Sequence, residues 1–377
     1  MKRMVIFMQE IKYCPKCEGE NAIDHKFCVF CGEKFPTPKQ EINCINIFTE
    51  QIGTGKKAKF IYNGKELFVE EVAIEFYKKK GYNAIWSEND YWGFLYALLF
   101  WDIIFLKTDT CISKPMSDPD FEQTYEFYQN SGGYDMPHDF FSPSFYIYRN
   151  TEIKEWMDFL KTADIPRILK NRYEKHYLER CRPIEDWNKY SLDELLIAPR
   201  VLSNEQFLKI MERLVFSFSD YRRGFPDLIV YNDEELFFSE VKSKKDNPSE
   251  EQIIWHDYLL KEVDVPVDLF CVNKTDRQIK NIKNKYDKVL KASEEIVDLD
   301  KEISDILNSR YVYQKEARRI IDKNKEDKEE LEKVVKLLKI GIENTKRIMG
   351  MIEDGRINKQ HFVPNKKELF NPLSNEN

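Results

Sequence analysis

The chain has 377 residues, 33% of them charged and 14% aromatic, with a formal net charge of −7. That length allows two or three domains with at least one sizeable core, and the mixture excludes a disordered chain. A protein basic overall is excluded as well, so any nucleic-acid contact has to come from local patches such as the lysines of "GKKAK" (55–59) and Arg222 and Arg223.

The start, "MKRMVIFMQEIKYC", has too short an apolar run for a secretory signal, broken by Gln9 and Glu10. Next comes "CPKCEGENAIDHKFCVFCGEKF", which spaces Cys14, Cys17, Cys28 and Cys31 as two CxxC knuckles. Four thiolates at such spacing suit a tetrahedral zinc ion with no open position, hence a structural one. Disulfides are the alternative, but the remaining cysteines (Cys44, Cys111, Cys181, Cys271) are scattered, as expected of reduced thiols in a cytoplasmic chain. The unit resembles the zinc-ribbon knuckles appended to larger proteins. The prolines at 36 and 38 mark its end.

Residues 40–65 read as short strands and turns, and 67–80 as a helix stopped by Gly81. "YWGFLYALLFWDIIFL" (91–106) is the most apolar stretch. It falls short of the roughly 20 residues that span a bilayer and contains Asp102, so it is expected to be a buried helix, with no membrane partner. An irregular stretch (113–150) and a mainly helical one (151–216) follow. Two strands are expected at 228–231 and 236–242, joined by the polar turn "NDEE", then a helix over 249–263 and a strand over 267–273. From 276 to 355 the chain is rich in Lys, Glu, Asp, Ile and Leu, with apolar residues at helical spacing (Val297, Leu299, Ile303, Ile306; Leu331, Val334, Val335, Leu338). This predicts two long amphipathic helices that pack on themselves, the core or a second copy. Cutting after about residue 280 is expected to leave the metal site below intact.

The chemistry concentrates in "GFPDLIVYNDEELFFSEVKSKKDNPSEEQIIW" (224–255). Alternate strand residues share a face, so Glu240 and Lys242 point together, and a hairpin through "NDEE" brings Asp227 within reach of them. Converging carboxylates repel unless a cation lies between them, and an all-oxygen site suits Mg²⁺ or Mn²⁺. Such an ion activates water and neutralises a phosphate, and Lys242 beside it can orient that water. A surface ion pair on an edge strand is the bland alternative. The spacing of Asp227, Glu240 and Lys242 resembles the pattern of the PD-(D/E)xK nucleases.

The stretch "RRGFPDLIVYNDEELFFSEVKSKKDNPSEEQIIW" resembles the virus-type replication–repair nuclease (VRR-NUC) domain in its PDL element, its EVK element and an S-x-x-Q-x-x-W helix. Upstream, "VEEVAIEFYKKKGYNAIWSENDYWGFLYALLFWDIIF" (69–105) and "RPIEDWNKYSLDELL" (182–196) are similar to the Fanconi-associated nuclease family, with "AIWSEND" standing where the family has a "GIHGEG"-like stretch. The resemblance implies a further acid on the first helix of the core. Helical spacing favours Glu70, which borders the apolar face of Val69, Val72, Ala73 and Tyr77, over Glu71 on the solvated face.

The resemblance implies metal ligation by Glu70, Asp227, Glu240 and the Val241 carbonyl, with Lys242 positioning the attacking water. Arg222 and Arg223, just before Gly224, fit either a phosphate contact or a solvated loop. Gln252 fits either a supporting role in the site or a capping box with Ser249. Trp255 is expected in the core and His256 on the helix surface. The expected architecture is α/β: a zinc ribbon (1–38), an N-terminal helical part of the nuclease region (39–160), a restriction-endonuclease-like core of central mixed sheet and flanking helices (161–275), and a charged helical tail (276–377). The expected activity is Mg²⁺- or Mn²⁺-dependent hydrolysis of DNA at branched or flapped structures, with self-association or a protein partner through the tail. The rival is a catalytically silent nuclease fold used as a DNA- or protein-binding adaptor.

Overall fold

A computed structural model describes residues 11–13, 16–22, 29–31, 42–88, 90–106, 136–137, 139–293, 299–356 and 369–370. The chain divides into two compact units, Met1–Glu41 and Ile42–Asn377. In the first, β1 (Ile11–Tyr13) and β2 (Glu20–Ala22) pair antiparallel. Cys17 and Cys31 lie exposed in turns, while Cys14 and Cys28 fall outside the described residues. The expected four-thiolate set therefore lies half outside them.

The second unit is built on a mixed five-stranded sheet in the order β3 (Asn43–Ile47), β10 (Val267–Val272), β9 (Leu236–Lys242), β8 (Leu228–Tyr231), β7 (Asn83–Trp86). Here β10 runs parallel to both β3 and β9, while β9, β8 and β7 alternate in direction. All six residues of β10 are buried, four of them valine, leucine or phenylalanine beside Asp268 and Cys271, as expected of a strand between parallel neighbours. The "NDEE" segment turns β8 into β9 because the Asn232 side chain accepts from the N–H groups of Glu234 and Glu235, at 2.9 and 2.8 Å. A small antiparallel sheet, β4 (Gln51–Ile52), β5 (Lys59–Tyr62) and β6 (Lys65–Leu67), precedes α1 (Val69–Lys79).

Helix α1 covers one face of the main sheet, where Val72, Ala73 and Tyr77 pack with Leu228, Val230, Val241 and Phe270. The rest of the unit shares a larger core. Its centre is α2 (Asp90–Leu99), buried along its length from Tyr91 to Leu99. Around it lie α3 (Ser144–Leu160), α4 (Ile165–His176) and α5 (Asn204–Phe216). No helix among the described residues is long and apolar enough to cross a membrane. Helix α6 (Glu250–Tyr258) continues as a π-helical turn (Leu259–Val263) and connects β9 to β10.

The tail differs from the expected helical pair. It comprises α7 (Asp276–Ser293), α8 (Leu299–Leu307), α9 (Gln314–Lys323) and α10 (Lys328–Glu353). The break before α10 is made by Asp327, whose side chain accepts the Glu330 N–H at 3.1 Å. The apolar residues of α10 (Leu331, Val334, Val335, Leu337, Leu338) enter the same core as α2 to α5. The buried Glu330 carboxylate takes Lys154 of α3 at 2.8 Å, and Lys333 reaches Glu212 of α5 at 3.2 Å. Residues 42–377 thus form one compact unit, tail included.

Candidate active site

Asp227 is the residue just before β8. The register Leu228↔Ser239 places it opposite Glu240 one step along the ladder. Its Oδ2 accepts the Val241 N–H at 2.7 Å, which fixes the carboxyl against β9. Within β9 the side chains alternate as the period of two requires. Ser239 and Val241 face α1, with the Tyr77 hydroxyl donating to Ser239 Oγ at 3.0 Å, and Glu240 and Lys242 face the other way. Asp227, Glu240 and Lys242 are 7%, 0% and 6% exposed. Lys242 Nζ is ion-paired with Glu240 and lies 3.8 Å from Asp246 Oδ2.

Burial and the neighbouring Glu240 charge push the Asp227 carboxyl up to about 8, against the pull of Lys242 and the Val241 N–H. Burial acts the same way on Glu240, but the His256 imidazole and the Lys242 ammonium overcome it and hold that carboxyl below the usual glutamate range. Lys242 is itself raised: burial lowers it, and the Glu240 and Asp227 carboxylates more than reverse this. With Asp227 protonated, Glu240 and Lys242 balance each other; ionising Asp227 adds a negative charge that a divalent cation would neutralise.

Among the described residues, no three His, Cys, Asp or Glu side chains lie together as a ready-made ligand group. Asp227 and Glu240 form a pair without Glu70 as a third contact. Two carboxylates still fit Mg²⁺ or Mn²⁺, which keep several waters and draw further ligands from substrate phosphates. Glu70 lies half-buried in the first turn of α1. Its carboxyl is raised by burial and by Glu88, and pulled down by Lys242, so it shares the electrostatic field of the pair. The adjoining Glu71 is exposed, and its Oε2 accepts the Phe68 N–H at 2.7 Å as a helix cap.

Two neighbours of the pair escaped the sequence reading. Glu88, just past β7, raises both Asp227 and Glu70. The pairing Trp86↔Leu228 brings it there. His256 is buried rather than on the helix surface, because α6 turns Ile253, Trp255 and His256 inward. Its Nε2 lies 3.5 Å from Glu240 Oε2.

Gln252 serves the cap. Its Oε1 accepts from Ser249 N at 2.9 Å, and its own N–H donates to Ser249 Oγ at 3.2 Å. Trp255 is core, its Nε1 donating to the Tyr221 carbonyl at 3.0 Å and its ring 4.6 Å from that of Phe225. Arg222 and Arg223, with Arg182, line a recess of about 130 Å³. Burial lowers the Arg222 guanidinium, and the charges of Arg223 and Arg182 lower it further. Asp90 and Glu185 line the same recess and Arg182 is paired with Glu185 at 2.7 Å, so Arg222 and Arg223 are the cations there that suit a phosphate.

Gly224 sets the approach to Asp227. Its φ is +85°, and a Cβ there would lie 2.7 Å from the Glu251 carbonyl carbon and 2.9 Å from Gln252 N. Gly224→Ala is therefore expected to destabilise the fold by about 1–3 kcal/mol and to displace Asp227. An unchanged melting temperature would refute this.

Residues 160–273 match the VRR-NUC domain. The VRR-NUC segment includes Arg222, Arg223, Asp227, Glu240, Val241, Lys242 and Gln252, and leaves Glu70, Glu88 and helices α7 to α10 outside. The Fanconi-associated nuclease 1 homolog of Schizosaccharomyces pombe is 28% identical over 203 residues, 53% of this chain and 26% of that protein. The Dictyostelium discoideum homolog is 30% identical over 210 residues, 51% and 18%, and the Homo sapiens protein 27% over 195 residues, 50% and 17%. The chain thus spans about a quarter or less of the length of these relatives. A solved structure of paFAN1 bound to 5′ flap DNA with a gap aligns over 64% of this chain and 39% of that one, at 20% identity and a TM-score of 0.49.

Proposed function

We propose that the protein is a divalent-cation-dependent nuclease that hydrolyses DNA phosphodiester bonds at flapped or branched ends, in repair or replication. The observation that carries this reading is the buried set Asp227, Glu240 and Lys242 at the head of the β8–β9 hairpin, inside the VRR-NUC segment. The names of the relatives, Fanconi-associated nucleases, support DNA as the substrate.

Asp227, Glu240 and Glu70, with the Val241 carbonyl, would hold Mg²⁺ or Mn²⁺. When bound, the ion supplies an activated water and charge neutralisation at the phosphate. Burial lowers the Lys242 ammonium, and the Glu240 and Asp227 carboxylates raise it above the usual lysine range. It offers a fixed positive charge that orients the attacking water and stabilises the charge developing on the phosphate. Arg222 and Arg223 anchor a phosphate of the strand in their recess. Gln252 supports the site at one remove, by starting α6 where the Gly224 loop rests on it.

The test is cleavage of a labelled 5′-flap substrate by the purified chain in Mg²⁺ or Mn²⁺ against a chelator. Cation-dependent cutting is expected. Cation-dependent DNA binding with no cutting of flap, fork or nicked duplex would overturn the nuclease reading in favour of an adaptor. The Cys14, Cys17, Cys28 and Cys31 knuckles are proposed to hold a structural zinc. Metal analysis should then find about one zinc per chain, lost in the Cys28→Ser/Cys31→Ser variant with flap cleavage retained. Zinc unchanged in that variant would end the assignment.

A further inference from the structure

The Glu240 side chain has no exposure, and its carboxylate faces Lys242 on one side and His256 on the other. His256 is also fully buried. Among the described residues, neither Glu240 Oε2 nor His256 Nε2 has a hydrogen-bond partner; they face each other at 3.5 Å, an ion-pair contact longer than an ordinary hydrogen bond. Buried polar atoms of native proteins are almost always satisfied, so each is the other's available partner.

The far side of the imidazole is also engaged. His256 Nδ1 lies 2.6 Å from the Tyr286 hydroxyl, with the two rings near-parallel at 23°. Tyr286 stands on α7 and packs in a small apolar cluster with Leu269, Cys271 and Ile282, which fixes its ring. A carboxylate only accepts, so Nε2 carries the hydrogen directed at Glu240; a neutral ring then takes the Tyr286 hydrogen at Nδ1. The chain Tyr286–His256–Glu240 thus runs in one donor direction, ending on a carboxylate at the head of the site. Histidines that orient ligands in metal sites are set in this way by the partner of the other ring nitrogen.

We propose that His256 and Tyr286 are positioning residues that hold the Glu240 carboxylate in the orientation in which it and Asp227 take a divalent cation. Helix α7 lies beyond the VRR-NUC segment and is by this assignment part of the active centre. The inference rests on the proposed role of Glu240 as a cation ligand.

The experiment measures Mn²⁺ binding by calorimetry on the full chain, beside flap cleavage and thermal unfolding of the cation-free protein. His256→Leu keeps the size and removes the donor. It is expected to weaken Mn²⁺ binding about 10–100-fold, a loss larger than the fall in melting temperature caused by leaving the Glu240 carboxylate and the Tyr286 hydroxyl without their partner would account for. His256→Gln restores a donor and should recover most of the affinity. Tyr286→Phe, the mildest change, should lose several-fold. Parent-like Mn²⁺ affinity in both His256→Leu and Tyr286→Phe would overturn the assignment. So would affinity lost only in step with the melting temperature. A parent that binds Mn²⁺ with these dependences but cuts no DNA would refute the nuclease reading and leave the positioning role standing. A parent that binds no Mn²⁺ would end both.

Discussion

Alanine at Asp227 or at Glu240 is expected to lower Mg²⁺- or Mn²⁺-dependent cleavage by orders of magnitude without unfolding the protein. The two carboxyls sit opposite each other on adjacent strands, buried and mutually repelling. Removing either relieves that repulsion but leaves a buried partner, Lys242 for Glu240→Ala and the Val241 N–H for Asp227→Ala, so each rate is read beside the variant's melting curve. Asp227→Asn is the cleaner variant, since its amide oxygen still accepts the Val241 N–H. Lys242→Ala keeps both carboxylates, so cation binding should persist while the rate falls about 10²–10³-fold, as for loss of one preorganised charge partner. Glu70→Ala is expected to resemble Asp227→Ala, and Glu71→Ala to cost a helix cap of about 1 kcal/mol with little effect on rate. Cation uptake should also depend on pH. Below about 8 the cation-free Asp227 holds its proton. The ion must displace it, so apparent affinity should climb from mild acid toward that value and then flatten. Rates for flap cleavage and melting curves across these variants decide the matter. If Asp227→Ala and Glu240→Ala cut as fast as the parent, the cluster is an ordinary ion-pair network.

What was legible in the sequence follows the range of the forces involved. The β8–β9 hairpin and the start of α6 obey local rules: strand alternation, the Asn232 turn and the Ser249–Gln252 cap, each closed within a few residues. Asp227, Glu240 and Lys242 were readable because one hairpin carries them all. Glu88 was not, since only the closure of β7 on β8 brings it to Asp227. His256 was misplaced on the helix surface because its burial depends on α7 packing over it, a contact 30 residues along the chain. The periodicity of the tail disclosed its amphipathic character but not its partner. An apolar stripe fits any apolar surface, and only the assembled core shows that α10 packs among α3 and α5.

Truncation after residue 280 was expected from the sequence to leave the metal site intact, and the structure predicts the opposite. The cut removes Tyr286 and with it the partner of His256. It also removes α8 to α10, so Leu331, Val334, Val335, Leu337 and Leu338 leave the shared core. Each such side chain stabilises by about 1.5–3 kcal/mol when fully buried, which makes the loss on the order of 10 kcal/mol. A whole domain is stable by only about 5–15 kcal/mol. The same cut bares the apolar sides of α3 and α5, against which α10 packs. The truncated chain should therefore aggregate or unfold without a cooperative transition, and bind Mn²⁺ far more weakly than the parent. Leu338→Asp in the full chain separates the two losses. It keeps Tyr286 in the sequence but puts a charge into the core, and should lower the melting temperature steeply. If that variant folds and melts like the parent, and the truncated protein is monomeric, cooperative and parent-like in Mn²⁺ binding, the tail is an appendage and neither the shared core nor α7 contributes to the site.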